Sequence, residues 1–236
     1  MTNQYVSPLS VAVICSSNMN RSMEAHGFLA KKRFKVRSFG TGDKVKLPGT
    51  AADKPNVYEF GTSYDDIFSD LANKDKNYYT QNGLLHMLDR NRRIKTCPEK
   101  FQLCTERFDV LVTCEERVYD QVIEFMESKT PTYNLPVHVI NIDIQDNHEE
   151  ATVGAFAICD LITMVSGRAV AWFNIFSPID LRPNKRAKYV VQNSFLIKPP
   201  AKVAKHSEHV SYPEMHPIAN KLYLKSHIVS SNSLFH

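Results

Sequence analysis

The sequence predicts a doubly wound α/β fold, a parallel sheet with helices on both faces. Three observations predict it: short β-branched apolar runs recur, helical patterns lie between them, and each connection is long enough to cross over the sheet. The predicted strands are residues 10–14, 34–39, 108–113 and 137–142. The predicted helices are residues 20–32, 65–73, 82–92, 115–127 and 151–165.

Each strand has its own signal. Residues 10–14 (SVAVI) are apolar and β-branched, which is typical of a strand buried on both sides in a parallel sheet. Residues 34–39 (FKVRSF) alternate and end at the glycine-containing turn of residues 40–42. Residues 108–113 (FDVLVT) and 137–142 (VHVINI) are apolar runs like the first strand. The apolar helical pattern after the last strand then closes the predicted fold.

The composition changes near residue 165. Residues 1–165 hold 19 Lys and Arg against 22 Asp and Glu, whereas residues 166–236 hold 10 against 3. We therefore predict a domain over residues 1–165 and a basic, proline-containing tail over residues 166–236, poorly ordered beyond about residue 180.

The cysteines and the N-terminus favour a reducing compartment. Five cysteines are an odd number, residues 1–10 lack the pattern of a secretory signal, and no run of about 18 apolar residues occurs. We expect free thiols and no membrane span. The cysteines are Cys15, Cys97, Cys104, Cys114 and Cys159.

The segment CSSNMNRS at residues 15–22 carries the main chemical signal. It joins a predicted strand to a predicted helix, where backbone amides form an anion site. Arg21 can hold two phosphate oxygens, and the helix N-terminus favours the thiolate form of Cys15. Ser22 can hydrogen-bond the sulfur and stabilise it as a leaving group. The segment predicts phosphoryl transfer through Cys15, with a buried core cysteine and a surface arginine as the alternative.

The residues between Cys15 and Arg21 would supply the amides of this anion site. Amides that turn inward usually need a positive φ, and the segment has no glycine. Asn18 and Asn20 are the residues there that best tolerate such a conformation. The predicted phosphate-binding residues are Ser16, Ser17, Asn18, Met19 and Asn20.

An acid for the leaving oxygen is predicted after the strand at residues 137–142. Asp143 and Asp146 follow it, and ligands of α/β sheets bind beyond the carboxyl ends of strands. The acidic run also suits the first turn of the next helix. Because the cysteine segment follows another strand of the same sheet, we favour the catalytic interpretation of this acidic run. Both aspartates remain candidates.

The Cys-x5-Arg-Ser segment, with its asparagine and a late aspartate loop, resembles the low-molecular-weight protein tyrosine phosphatases. Two features depart from that family: Asn20 stands where a second cysteine is usual, and no proline follows Asp143 or Asp146. Longer blocks are similar to one branch, the phosphatases of the RNA polymerase II C-terminal repeat domain of the suppressor-of-sua-seven type. These blocks are CSSNMNRSMEAH, VRSFGTGDKVKLPG, DKPNVYEF, YTQNGLLHMLDRN, LVTCEERVYDQV and NIDIQDNHEEATVGAF.

This resemblance covers residues from about 11 to 160 and implies a phosphatase domain that uses no metal or cofactor. It implies hydrolysis of phosphate from serine five of the heptad repeat, before a cis proline, and also from serine seven. Cys15 is then the nucleophile, Arg21 the phosphate clamp and Asp146 the general acid. Beyond about residue 163 the resemblance stops, because the long acidic helix and strand-like end of that branch do not follow.

The resemblance also implies a peptide groove and partners. The groove residues would be Lys46, Leu47, Pro48, Tyr79 and Met87, each of which has a turn, surface or packing role as its alternative. The partners would be the phosphorylated repeat and a symplekin-type scaffold of messenger-RNA 3′-end processing. The implied location is the nucleus, with the cytoplasm left open, and direct contacts with nucleic acid or membrane are not expected.

Two other functions compete. Arsenate reductases on this scaffold relay a disulfide through two further cysteines, and Cys97 and Cys104 are seven residues apart, as such a pair could be. The second alternative is an inactive or scaffolding chain, if the altered C-terminal end leaves the sheet without its cover.

Overall fold

The computed structural model describes residues 9–51, 53–129 and 137–167, and the backbone of residues 224–229. The strands are β1 (Ser10–Cys15), β2 (Lys35–Gly40), β3 (Val45–Leu47), β4 (Asn56–Tyr58), β5 (Val110–Thr113), β6 (Val137–Ile142) and β7 (Leu224–Val229). The helices are α1 (Arg21–Lys31), α2 (Tyr64–Gln81), α3 (Leu84–Ile94), α4 (Glu116–Ser128) and α5 (His148–Gly167), with a short 3₁₀ turn at Phe101–Leu103.

The main sheet has the strand order β2-β1-β5-β6-β7. The first four strands are parallel, and β7 pairs antiparallel with β6. Ile14 pairs with Thr113, and Thr113 pairs with Asn141, so β1, β5 and β6 end at the same edge. The loops that follow these three strands therefore meet, which is where the sequence analysis places the chemistry.

Helices cover both faces of this sheet, as predicted. On one face, α1 and α5 pack on the residues of β1, β5 and β6 that point to that side, and Leu29, Ile158 and Ile162 are fully buried there. On the other face, α4 contributes Val118 and Val122 to a second apolar cluster. The parallel, two-sided α/β architecture is thus confirmed.

A third apolar cluster lies beside the sheet. The β3–β4 hairpin, α2 and α3 pack together and against Met19 and Met23. We call the hairpin and these two helices the side unit. Because Met19 belongs to the loop that follows β1, the side unit lies against that loop.

The helix predicted at residues 65–73 ended too early. The observed α2 continues to Gln81 across a kink at Asp75, where φ is −163° and ψ is 89°. The Asp75 carboxylate accepts a hydrogen bond from the Tyr78 amide at 2.9 Å, so it caps the second segment as an ordinary helix start would. Sequence analysis also missed β3 and β4, which are only three residues long.

Helix α5 begins at His148, three residues before the predicted start. Asn147 provides the cap, because its side-chain oxygen accepts a hydrogen bond from the Glu150 amide at 2.8 Å. The acidic run therefore does serve a helix N-terminus. The capping residue is Asn147, which leaves Asp143 and Asp146 available for other contacts.

Strand β7 falls inside the predicted tail, and sequence analysis did not anticipate a strand there. It pairs from Val137 opposite Val229 to Ile142 opposite Leu224. Most of residues 166–236 lies outside the described residues, so the boundary at residue 165 remains a prediction. Within the described part, no helix has both the length and the apolar character that crossing a membrane requires.

His26 gives the fold a predictable response to acid. Its Nδ1 lies 2.8 Å from the Ser38 hydroxyl, which itself lies 3.1 Å from the Met23 sulfur. Burial, with the nearby cations Lys95 and Arg37, lowers the pKa of His26 from 6.5 to about 4. Between these values only the unfolded chain takes up the proton, so stability present above pH 6.5 is lost as the pH falls toward 4.

We expect the free energy of unfolding to fall by on the order of 3 kcal/mol from His26 alone between pH 6.5 and 4. Urea titrations at intervals across this range would measure it. His26→Gln removes the titrating group, so its stability should decline less steeply with acid than that of the wild type. Parallel pH profiles for the two proteins would contradict this assignment.

Candidate active site

The loop that follows β1, which we call the cysteine loop, comprises residues 15–21. It begins at the buried Cys15 and ends where α1 starts. The Cys15 and Ser16 carbonyls accept hydrogen bonds of 3.1 and 3.0 Å from the amides of Thr41 and Gly42. The backbone that follows β2 thus stabilises the first two residues of the cysteine loop through hydrogen bonds.

Asn18 gives the loop its sharp turn. It is fully buried and has a positive φ of 55°, as the sequence analysis predicted for an asparagine here. Its side-chain oxygen accepts a hydrogen bond from the Glu99 amide at 3.1 Å, and its side-chain nitrogen donates to Ser22 Oγ at 3.0 Å. Asn20, the other candidate, has a φ of −107°.

Ser22 reaches the thiol. Its Oγ lies 3.1 Å from Cys15 Sγ. Because Ser22 already accepts a hydrogen bond from Asn18, its single hydroxyl proton is free to point at the sulfur. This geometry suits a serine that stabilises the thiolate.

Arg21 is buried and held by carboxylates from two other loops. Its Nη1 donates to Glu115 Oε2 at 2.7 Å and to the Ile144 carbonyl at 3.0 Å, and its Nη2 lies 3.2 Å from Asp146 Oδ2. Burial alone would lower the Arg21 pKa, but Cys15, Asp146 and Glu115 together raise it above its ordinary value. The guanidinium therefore stays charged beside the thiol.

One donor of Arg21 remains available for an anion. Within the described ranges, its Nε is buried and has no hydrogen-bond partner. A buried donor is costly to leave unsatisfied, and a phosphate oxygen would satisfy it.

The structure separates the two candidate aspartates. Asp146 contacts both Arg21 and Asn20, whose side-chain nitrogen donates to Asp146 Oδ1 at 3.0 Å. Asp143 instead accepts a hydrogen bond from the Asn141 side chain, also at 3.0 Å. Of the two, Asp146 is the one placed at the cysteine loop.

The predicted groove residues all belong to the side unit, but their exposure differs. Lys46 and Pro48 are exposed, and the Lys46 amide lies 3.5 Å from Ser17 Oγ of the cysteine loop. Leu47, Tyr79 and Met87 are buried in the apolar cluster of the side unit. Their packing role is therefore observed, and a role in peptide binding remains a prediction.

Several contact residues were missed by sequence analysis. Glu115 follows β5 at the same sheet edge, so the rule that located Asp146 could have located it too. Tyr64, Arg90 and Asn91 hydrogen-bond the cysteine loop from α2 and α3, and no local pattern marks them. Cys114 lies in the same apolar cluster as Cys15, where burial and Cys15 raise the pKa of its thiol.

The two cysteines considered for a disulfide relay are not bonded to each other. Cys97 and Cys104 are free and half-buried. Among the residues that the structure describes, no group of three or more His, Cys, Asp or Glu could hold a metal ion.

A thiol at the end of a parallel strand, beside a buried guanidinium and a hydroxyl donor, is suited to nucleophilic attack on a phosphate ester. With the doubly wound sheet beneath it, this site defines an α/β phosphatase with a cysteine nucleophile. The chain belongs to the Ssu72-like protein family, whose model matches residues 9–189. The sequence resemblance is thereby confirmed.

Known relatives support this membership. The RNA polymerase II C-terminal domain phosphatase SSU72 of Mus musculus is 67% identical over 155 residues, which cover 66% of this chain and 80% of that protein. The Caenorhabditis elegans phosphatase ssup-72 is 60% identical over 159 residues, 67% of this chain and 81% of that protein.

A solved structure is also similar. Drosophila melanogaster Ssu72 with Symplekin, bound to a cis peptidomimetic CTD peptide that carries phosphate on serine five, is 60% identical, with a TM-score of 0.67. The match covers 73% of this chain and 93% of that one.

Gly40 allows the close approach that supports the cysteine loop. A Cβ at this position would lie 2.6 Å from the Ser16 carbonyl oxygen and 2.8 Å from the Phe60 ring. We expect Gly40→Ala to lower the free energy of unfolding by about 1–3 kcal/mol. In Gly27→Ala, the matched control within α1, the new Cβ would lie 3.4 Å from Ile94, an ordinary contact, and stability should rise by about 0.5–1 kcal/mol. Equal urea midpoints for the two variants would contradict this account.

Proposed function

We propose that this chain removes phosphate from serine five of the RNA polymerase II C-terminal heptad repeat, through a phosphocysteine intermediate on Cys15. The observation that carries the proposal is the convergence of Cys15, Ser22, Arg21 and Asp146 at one sheet edge. Membership of the Ssu72-like family supports the substrate, as does 60% identity to a phosphatase solved with a peptide phosphorylated on serine five. The chain is therefore a phosphoprotein phosphatase, a hydrolase.

The first step transfers the phosphoryl group to sulfur. The Cys15 thiolate attacks phosphorus in line, a P–S bond forms and the bond from phosphorus to the serine oxygen breaks. Arg21 and the loop amides stabilise the equatorial oxygens. Asp146 gives its proton to the serine oxygen, which matters because an alkoxide leaves far less readily than a phenolate.

The second step releases phosphate. Water attacks the phosphocysteine while the Asp146 carboxylate accepts a proton from it, so the acid of the first step becomes the base of the second. The P–S bond breaks, and the Ser22 hydroxyl stabilises the departing thiolate. Inorganic phosphate leaves, and both Cys15 and Asp146 return to their starting states.

The relatives also suggest a setting and partners. Because Drosophila Ssu72 was solved with Symplekin and a cis peptidomimetic, we propose that this chain takes a peptide with a cis proline and binds a symplekin-type scaffold. With these partners, its proposed role lies in messenger-RNA 3′-end processing and transcription termination, in the nucleus. Serine seven of the repeat is the second candidate substrate.

The described structure favours an enzyme over an inactive scaffold. Helix α5 covers its face of the sheet with Ile158 and Ile162 fully buried, and β7 pairs along the outer side of β6. The described residues of α5 and β7 therefore cover the sheet beneath the cysteine loop.

Synthetic heptad peptides, each with phosphate on one serine, test the substrate. We expect the wild type to release phosphate fastest from phosphoserine five, with phosphotyrosine peptides slower. Cys15→Ser should abolish release while retaining peptide binding, because the loop amides and Arg21 remain. Phosphate release by Cys15→Ser at the wild-type rate would exclude the mechanism, and a preference for phosphotyrosine would exclude the substrate.

The two aspartates provide a matched pair for the general acid. Asp146→Asn should lower kcat on a phosphoserine peptide by about 100-fold or more. The loss should be much smaller on an aryl phosphate, whose leaving group needs no proton. Asp143→Asn should remain within about threefold of the wild type on both substrates, because its carboxylate contacts Asn141 instead of the loop. Equal losses in the two variants would undo the assignment of the acid to Asp146.

A further inference from the structure

Three successive carbonyls of the cysteine loop are hydrogen-bonded by side chains of the side unit. The Tyr64 hydroxyl donates to the carbonyl of residue 18 at 2.7 Å. The side-chain nitrogen of Asn91 donates to the carbonyl of residue 19 at 2.7 Å. Arg90 Nη2 lies 3.0 Å from that oxygen and 3.3 Å from the carbonyl of residue 20. We call Tyr64, Arg90 and Asn91 the carbonyl clamp.

The direction of these carbonyls fixes the direction of the amides. A trans peptide group is planar, and its C=O and the following N–H point to opposite sides. Carbonyls 18 and 19 point at the side unit, so the N–H groups of residues 19 and 20 point away from it. The carbonyl of residue 20 also accepts the helical hydrogen bond of the Glu24 amide at 2.9 Å, so α1 sets its direction. Successive backbone amides that face the same side of a loop can form an anion site, and aligned donors stabilise the transition state of phosphoryl transfer.

The clamp residues are built into the protein interior. Tyr64 and Asn91 are fully buried, and neither side chain can swing into solvent. Burial raises the Tyr64 pKa, so its hydroxyl keeps the proton that it donates. Arg90 forms an ion pair with Glu24 and a hydrogen bond with the Asn91 side chain, which orients both residues. These donors are therefore fixed before any substrate arrives.

We propose that Tyr64, Arg90 and Asn91 are positioning residues that hold the amides of residues 19 and 20 toward the substrate phosphate. The inference rests on the proposed phosphatase function. It adds three residues to Cys15, Arg21 and Asp146, which that function already uses. They touch the loop, and through it they act on the equatorial oxygens of the transferring phosphoryl group. Their loss should weaken binding of the transition state more than binding of the ground state.

Tyr64→Phe and Arg90→Lys test the clamp with little change of volume or charge. We expect each to raise the inhibition constant of orthovanadate by about tenfold or more and to lower kcat on an aryl phosphate similarly, because misdirected amides stabilise the transition state less well. The dissociation constant of inorganic phosphate should change less. A purely structural role would not produce this difference between the vanadate inhibition constant and the phosphate dissociation constant.

Two residues of the side unit give matched controls. The Tyr58 hydroxyl donates to Asp70 at 2.6 Å, so Tyr58→Phe removes a hydrogen bond of the same kind without touching the loop. Arg92 lies two residues after Arg90 on α3 and pairs with Asp65 and Asp89. Tyr58→Phe and Arg92→Lys should leave vanadate inhibition within twofold of the wild type. Urea midpoints would show that all four variants are folded.

The possible outcomes separate the two proposals. Vanadate inhibition and kcat within twofold of the wild type in folded Tyr64→Phe and Arg90→Lys would overturn the clamp and leave the phosphatase function standing. An equal rise of the vanadate inhibition constant in the two control variants would overturn the role of the carbonyl clamp as well. A wild-type chain that neither hydrolyses an aryl phosphate nor binds vanadate would overturn the proposed function, and the role of the clamp with it.

Discussion

The direction of the peptide groups in the cysteine loop is the constraint on which the rest of the site depends. A thiolate attacking a phosphate dianion needs positive charge close to the equatorial oxygens, and backbone amides supply it only if their carbonyls have partners elsewhere. Residues after β2 satisfy the carbonyls of Cys15 and Ser16, and side chains of α2 and α3 satisfy the carbonyls of Asn18 and Met19. Three separate parts of the chain thus support one short loop.

Arg21 already has two carboxylate partners before substrate binds. Arg21 is buried between Glu115 and Asp146, so its positive charge already has partners. A phosphate group that reaches the free Nε must share the guanidinium with Asp146, whose side chain is 57% exposed and therefore able to move aside. Glu115 is 32% exposed and remains as the fixed partner. Asp146, the proposed acid, thus contacts the same guanidinium that we propose holds the substrate phosphate.

The site residues that lie close together along the chain are predictable from the sequence, whereas the distant residues that contact them are not. Cys15, Asn18, Arg21 and Ser22 lie within eight residues, and their chemistry follows from a strand, a turn and a helix. The choice between Asp143 and Asp146 depends on the path of the chain after β6, so the residues alone left it open. Tyr64 and Asn91 contact the loop across 46 and 72 residues of sequence. Strand β7 was not predicted for a similar reason, because it is defined by its pairing with the distant strand β6.

The side unit is the part of the fold to which both the predicted peptide groove and the proposed carbonyl clamp belong. It carries the residues predicted to form the peptide groove, and it also supplies the donors that hold the loop carbonyls. Tyr64 and Met87 pack in one apolar cluster, so a substitution that reshapes the groove side also shifts the donors behind the loop. If the groove and the carbonyl clamp act as proposed, a substitution that repacks the groove would also misdirect the amides that stabilise the transition state, so peptide preference and catalytic rate would change together.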